Sequence, residues 1–566
     1  MMAFVVFAHL YPYPYHPEVN NPNENVRFYM TAAIVEDGSY VIDGMRGRWG
    51  WCNDAATYGG HFFSVKAPGS SLLGVPGYAL YHAWTRWAGT PLDRTSALWW
   101  TRLSGSILPS LLFWFFFYRW LARRGGSPVV RDALFLSLAI GSPLYAYGMM
   151  FVSHTLSAAA AFGAFMVLFD ARRRGTLGHG AAFVAGLCAA AVTAFEYPGF
   201  VCSAVLCVYA LFALRPRARL ASFALGGMVP VAAVLHFHWR AFGNPLTPGH
   251  RYLEHAPFRE AMEEGFFGAE RWDWNAAGGL LFDPAYGVFW LTPALLLMFV
   301  GYPALLRRRG RGRHDLRLDG FIALLVPLVL YGLICLMNNW RGGWTIGARY
   351  LAAGFPFYGW AALEGFRVLG RRAPRLSASI AVGTFAVSLL ACAAPSAWYP
   401  HIPENVTRPL LQMMRPLVRW DFAPMNLGGF VAQRLGLGEF SGTRSMLPLV
   451  VAGLLAVFAV AWAERERWNR ALLLTGGMFV CSWIVTPLIS EDPSHTLLAR
   501  DAMSYVSRYW SPSGNDLPAR LERRIRAGYV STRELERLRE AYEDLGRRLD
   551  VSRLDHMIAR RGSSPD

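Results

Sequence analysis

Glu24, Asp54 and Lys66 stand within some forty residues of one another near the start of the chain, in a stretch crowded with aromatic side chains. Cations and rings meet again at Trp340-Arg341-Gly342-Gly343-Trp344 and at Arg349-Tyr350, and a further basic patch lies at His250-Arg251. A positioned carboxylate can take a proton from a hydroxyl. Fixed cations stabilise a developing negative charge, and the planar fork of arginine holds two phosphate oxygens at once. Each residue also has a plainer role open to it. A carboxylate such as Glu24 often caps or solvates a loop helix, Asn53-Asp54 is a common turn pair, and Lys66 at a bilayer edge can snorkel. His154 and Glu196 sit at the ends of apolar runs, where ionisable residues lean toward function. His250 with His255 has only weak metal-ligand spacing, and Asn405-Val406-Thr407 is a short glycosylation pattern that recurs by chance.

The elements that must position these residues are membrane helices. The 566 residues are 54% hydrophobic and only 16% charged, against roughly 25% charged in a soluble domain. A net charge of +17 would suit a nucleic-acid partner if it formed one continuous face. Instead many of the arginines fall in short loops, at 119–131, 172–174, 215–219, 307–317, 367–375 and 465–470. Short Arg-rich loops stay on the cytoplasmic side, so nucleic acid is excluded and the remaining loops face outward. The seven cysteines, Cys52, Cys188, Cys202, Cys207, Cys335, Cys392 and Cys481, form no close pair, which argues against a disulfide framework or a zinc site.

About 20 apolar residues in helix cross a bilayer. Such runs occupy 97–118, 132–150, 152–170, 180–196, 197–214, 220–240, 285–306, 319–337, 350–369, 376–396, 446–463 and 470–489. With an N-terminal span, for which Met1–Tyr11 supplies only half the length, the expectation is about 13 helices. The N-terminus then lies in the cytoplasm and the C-terminal tail outside. Residues 70–88 are apolar too, but a span there would turn the 119–131 loop outward. Their Pro, Tyr, His and Trp content predicts a juxtamembrane helix lying in the interface. The predicted exoplasmic loops are 12–96, 241–284, 338–349 and 397–445. Residues 490–566 form a small helical soluble tail, with a capping box at Ser531–Glu534 followed by Leu535, Leu538, Tyr542 and Leu545 at helical spacing.

The layout resembles the GT-C glycosyltransferases, and within them the protein O-mannosyltransferases and lipid A aminoarabinose transferases. The first loop of that family carries an Asp-Glu-x-x-Tyr element and, further on, a Lys-Pro-Pro. Here Glu24-Asn25-Val26-Arg27-Phe28 falls on the first element and Lys66-Ala67-Pro68 on the second. Only one of the paired acidic positions is retained. The resemblance implies inverting transfer of a sugar from a polyprenyl-phosphate donor to a lipid, glycan or protein acceptor on the exoplasmic face of the bacterial inner membrane. It implies Glu24, or failing it Asp54, as the base. Lys66 and Arg349, with Arg341 and Arg251 behind them, would hold the donor phosphate. Trp340, Trp344, Tyr350 and His154 would contact sugar or lipid. No nucleotide fingerprint is present; a divalent cation is compatible with such a site, but no cluster calls for one.

Two readings compete with transfer. A transporter or lipid flippase would show paired halves with broken helices, and no such symmetry is visible. A catalytically degenerate assembly protein of the same fold would keep the layout and lose the chemistry, which the incomplete acidic pair allows.

Overall fold

In the computed structural model, the residues described are 1–17, 21–263, 265, 268–308, 315–436, 442–462, 493–510 and 516–562. The chain is a polytopic membrane protein, helical but for one short hairpin among the described residues. Five described helices are long and apolar enough to cross a bilayer: His154–Arg174, Ala218–Phe242, Arg317–Cys335, Pro374–Trp398 and Gly442–Trp462. Shorter apolar helices run over His179–Phe195, Tyr197–Ala213 and Pro293–Arg307. The run expected at 470–489 lies outside the described residues.

His154–Arg174 is the central helix, with 72% of its apolar window buried, whereas Ala218–Phe242 is peripheral at 22%. The core closes around Trp360, whose ring sits 5.5–5.6 Å from those of Trp120, Phe165 and Phe169. Ala218–Phe242 is held by close backbone approach to His179–Phe195. A Cβ on Gly186 would fall 1.8 Å from the Phe223 carbonyl oxygen, and one on Gly226 would fall 1.9 Å from that of Phe183. In a bilayer, where burying apolar surface gains little, such small-residue contacts are a main source of helix association.

The first long loop is built from short elements. The helix Pro22–Asp37 starts where the Asn21 side chain accepts from the Glu24 N–H and proline occupies the first turn, and it stops at Gly38 in left-handed geometry. A two-stranded antiparallel hairpin follows, Ala55–Tyr58 against His61–Ser64, with Tyr58 opposite His61. Gly59 and Gly60 turn it at φ of 61° and 81°, the pair of positive φ values that a two-residue hairpin turn requires. Next comes Gly69–Ala88, which exposes Leu80, Trp84 and Trp87 and buries Tyr78 and Tyr81, as an interfacial helix does.

Several predicted spans differ from the observed helices, three of them as follows. The first is longer than 97–118: Arg94–Arg102 continues through a π turn, Leu103–Ile107, into Leu108–Ala122. The 132–150 run is not one helix. Pro128–Ala139 ends before Gly141-Ser142-Pro143, a short helix covers Leu144–Met149, and Met150 is extended before the next helix opens at His154. Proline has no N–H to continue the ladder, and its ring clashes with the preceding turn. The third is 285–306, divided at Pro293 into Val288–Leu291, Pro293–Leu297 and Met298–Arg307.

Among the described residues from 493 onward there are four helices, Pro493–Tyr509, Leu517–Arg526, Thr532–Asp544 and Arg548–Gly562. The last three share a small core of Leu521, Leu535, Leu538, Tyr542 and Leu554. The tail docks on the 397–445 region: Trp510 packs among His16, Tyr399 and Phe422, and the Leu517 N–H donates to the Trp420 carbonyl at 3.0 Å.

Candidate functional site

The Pro22–Asp37 helix projects two charged side chains, one turn apart, into two neighbouring buried networks. In the first, Arg102 grips Glu24 bidentately, Nε to Oε1 and Nη2 to Oε2 both at 2.7 Å. The Phe151 N–H donates to Oε1 at 2.5 Å, and Arg102 Nη1 also reaches the Pro14 and Tyr15 carbonyls at 2.7 and 2.6 Å. Glu24 and Arg102 are 3% and 1% exposed, so both carboxylate oxygens are occupied and shut off from solvent. Burial works to raise the Glu24 carboxyl, yet Arg102 and the Phe151 N–H outweigh it and hold it below the ordinary carboxylate value.

Arg27 anchors the second network. Its Nη2 donates to Ser153 Oγ at 2.7 Å and lies 3.3 Å from Glu196 Oε1. The Ser153 hydroxyl donates to the same Glu196 oxygen at 2.5 Å, and His154 Nδ1 stands 3.4 Å from it. Glu196 occupies the corner where the His179–Phe195 helix ends and the chain turns into the next helix. Burial works to raise its carboxyl, but His154, Arg27, Ser153 and Lys66 together hold it below the usual range. Lys66 bonds to Asp54, Nζ to Oδ2 at 3.0 Å. The hairpin sets this pair: Asp54 precedes its first strand, Lys66 follows its second, and the Val65 N–H returns to the Asp54 carbonyl at 3.4 Å. The Lys66 charge is felt at Glu196 and the Asp54 charge at Arg27, which makes the whole group one electrostatic unit.

Glu196 and His154 line a tight cleft of about 10 Å³ together with Arg349 and Tyr350. His154 is 1% exposed, packed 4.9 Å from the Tyr147 ring and 6.2 Å from that of Tyr350, and neither of its ring nitrogens has a hydrogen-bond partner. Arg349 is anchored by Nη2, which donates to the Gly342 carbonyl at 2.5 Å, while its buried Nε is unsatisfied. Buried donors without partners cost stability, and here they point to a site meant for a polar ligand.

Of the residues the sequence singled out, Asp54, Lys66, Arg349, Tyr350 and His154 therefore belong to one group, joined by Glu196. Glu24 sits behind it in the Arg102 lock. Arg341 stands apart, 3.5 Å from Asp283 and stacked on Tyr286, whose hydroxyl donates to the Trp340 and Arg341 carbonyls. Trp340 packs on Tyr286 at 5.8 Å, and Trp344 meets Tyr505 of the tail at 5.4 Å. Arg251 is exposed on the turn Gly249–Tyr252. His250 packs near Tyr197, and His255 against Phe258. Among the described residues no three His, Cys, Asp or Glu side chains are grouped to hold a metal. Sequence reasoning gave no role to Arg27, Arg102 or Ser153. Their partners lie 43 to 169 residues away, and no local pattern announces such pairings.

No protein-family profile matches this sequence, and no curated protein matches it. Among solved structures, the chain is similar to the crystal structure of ArnT from Cupriavidus metallidurans in the apo state. The TM-score is 0.45 and the identity 15%, over 89% of this chain and 77% of that one.

Proposed function

We propose that this chain is a GT-C-type membrane glycosyltransferase that moves a sugar from a polyprenyl-phosphate donor to a lipid, glycan or protein acceptor at the outer face of the bacterial inner membrane. One observation carries the reading: a carboxylate, an arginine and a histidine with no hydrogen-bond partner, brought from three separate segments, line one cleft at the ends of apolar helices, and the charge of Lys66 acts on that carboxylate. Inverting transfer needs just these parts. The acceptor hydroxyl loses its proton to a carboxylate as it attacks the anomeric carbon, and the bond to the prenyl phosphate breaks with negative charge building on the leaving oxygen.

Glu196 is the base best supported by the geometry. It lines the cleft, and the hydrogen bonds drawn to it converge on Oε1. Glu24 suits the role less, because its carboxylate is spent on Arg102. Arg349 and Lys66 would hold the phosphate, the second released from Asp54 as the anion arrives, and Tyr350 and His154 would flank the sugar.

Prenyl-phosphate release from a panel of polyprenyl-phosphate sugars, followed with purified protein and a membrane-lipid acceptor pool, tests this. Turnover should collapse in Glu196→Gln and Lys66→Ala while both variants remain folded at the assay temperature. Turnover that survives Glu196→Gln passes the base to Asp54. Wild-type protein that binds donors and releases nothing would sink the transferase reading.

A further inference from the structure

The far end of the bundle holds a second cavity, and it is cationic. The helix Phe355–Arg372 begins beside Arg349 and ends at Arg371 and Arg372, so its 18 residues carry the chain roughly 27 Å from the cleft described above. At that end Arg124, Arg308, Arg367 and Arg371 line a cavity of about 410 Å³. They come from three of the arginine-rich loops, which meet here in space.

The charges there are not balanced. Glu364 pairs with Arg308 at 3.2 Å and with Arg367, and Asp170 pairs with Arg124 at 3.3 Å. Among the described residues Arg371 has no ion pair, which leaves two carboxylates against four guanidiniums. Several arginines are also held in place. Arg367 Nη2 donates to the Gly125 carbonyl at 2.7 Å, and Arg124 lies over the Trp120 and Phe169 rings at 4.4 and 4.5 Å. The helices Pro128–Ala139 and Pro374–Ser388 both start at the cavity wall, each opening on proline with no side-chain cap. Helix starts of this kind favour an anion. The remaining wall is apolar, with Val130, Leu363 and Phe366 all buried.

We infer that this cavity binds a phosphate-bearing anion at the arginine-rich membrane face, its charge held by Arg308, Arg367 and Arg371. Basic pockets between membrane helices suit lipid phosphate headgroups, and a soluble phosphate would meet the same cations. The site is distinct from the proposed catalytic cleft and does not depend on the transferase reading.

Native mass spectrometry of the full chain, delipidated and then offered tetraoleoyl cardiolipin, dioleoylphosphatidylcholine or inorganic phosphate, separates the sources. Wild-type protein should retain cardiolipin at least about 10-fold better than phosphatidylcholine and gain melting temperature with it, as a ligand of the native state does. Arg371→Glu, at an exposed position, and the pair Arg308→Gln with Arg371→Gln should lose that preference while melting normally without ligand. A melting-temperature gain with phosphate alone, lost in the same variants, would make the ligand a soluble anion. If wild-type protein prefers neither anion over phosphatidylcholine, or the variants retain cardiolipin as wild type does, the inference is overturned. The wild-type comparison decides even where a variant fails to fold.

Discussion

Removing one partner of a buried, doubly bonded ion pair strands the other charge, at about 3–5 kcal/mol. Glu24→Gln should therefore act chiefly on stability, through the Arg102 guanidinium it leaves behind, and appear as a large fall in melting temperature. Glu196→Gln should instead cost on the order of 10²–10⁴ in turnover, with a smaller fall in melting than Glu24→Gln, because Arg27 keeps the Asn23 carbonyl and Ser153 Oγ as acceptors. His250 and His401 add a pH dependence. Burial is the first cause at each and pushes both down to about 4, whereas an imidazole in the unfolded chain titrates near ~6.5. Between those values the unfolded state binds more protons, so stability present above about 6.5 drains as pH falls toward 4. Melting curves from pH 7.5 down to 4.5 should show it, with a flat region above pH 7. Much of the site's chemistry was legible in residue type: Lys66, Asp54, Arg349 and His154 were singled out for charge or ring in an outward loop or at a span end. What sequence could not tell was which carboxylate is free, since Arg102 finds Glu24 across 78 residues.

At the scale of elements, the hairpin is what brings Asp54 and Lys66 together. An L-residue in left-handed geometry costs roughly 1–2 kcal/mol, so Gly59→Val should strain the turn by that amount. It should lower turnover by more than its small effect on melting implies, because Lys66 follows directly from the second strand. The Gly-Gly pair between Thr57-Tyr58 and His61-Phe62 was a readable turn signal that helix-scale hydropathy passed over. The amphipathic helix at Gly69–Ala88 was legible for the opposite reason, since its aromatic, proline-bearing face differs in kind from a span. The broken run at 132–150 was not, because average hydropathy is blind to Gly141-Ser142-Pro143. That break lets the chain double back as Met150–Ser153 and present Phe151 N–H and Ser153 Oγ to the two networks.

At the scale of the whole molecule, the tail is a fixed part of the body. Ion pairs of Arg419 with Glu540 and Asp544 and of Arg520 with Asp421 help to hold it, and so does Trp510, 2% exposed. Exposed pairs are worth at most about 1 kcal/mol, and truncating a buried tryptophan costs about 3–5 kcal/mol. Trp510→Ala should free the tail to limited proteolysis, and Asp544→Ala should leave it protected; equal cleavage of both variants would mean the charges do the holding. The all-helical class and the arginine loops could be read from composition and spacing. The meeting of three such loops around one cavity could not, because it depends on how the helices pack.

The contact of Trp510 with His16 joins segments 494 residues apart in the chain. Ribosomes extend a chain at roughly 5–20 residues per second, so the histidine emerges on the order of 25–100 s before its partner exists. Until then His16 has only Tyr399 of its two aromatic partners from distant segments, and a product ending before Trp510 would never gain the second. Completion of the loop around His16 is thus timed by a segment made 494 residues later, and a stop before Trp510 would be felt first beside that histidine.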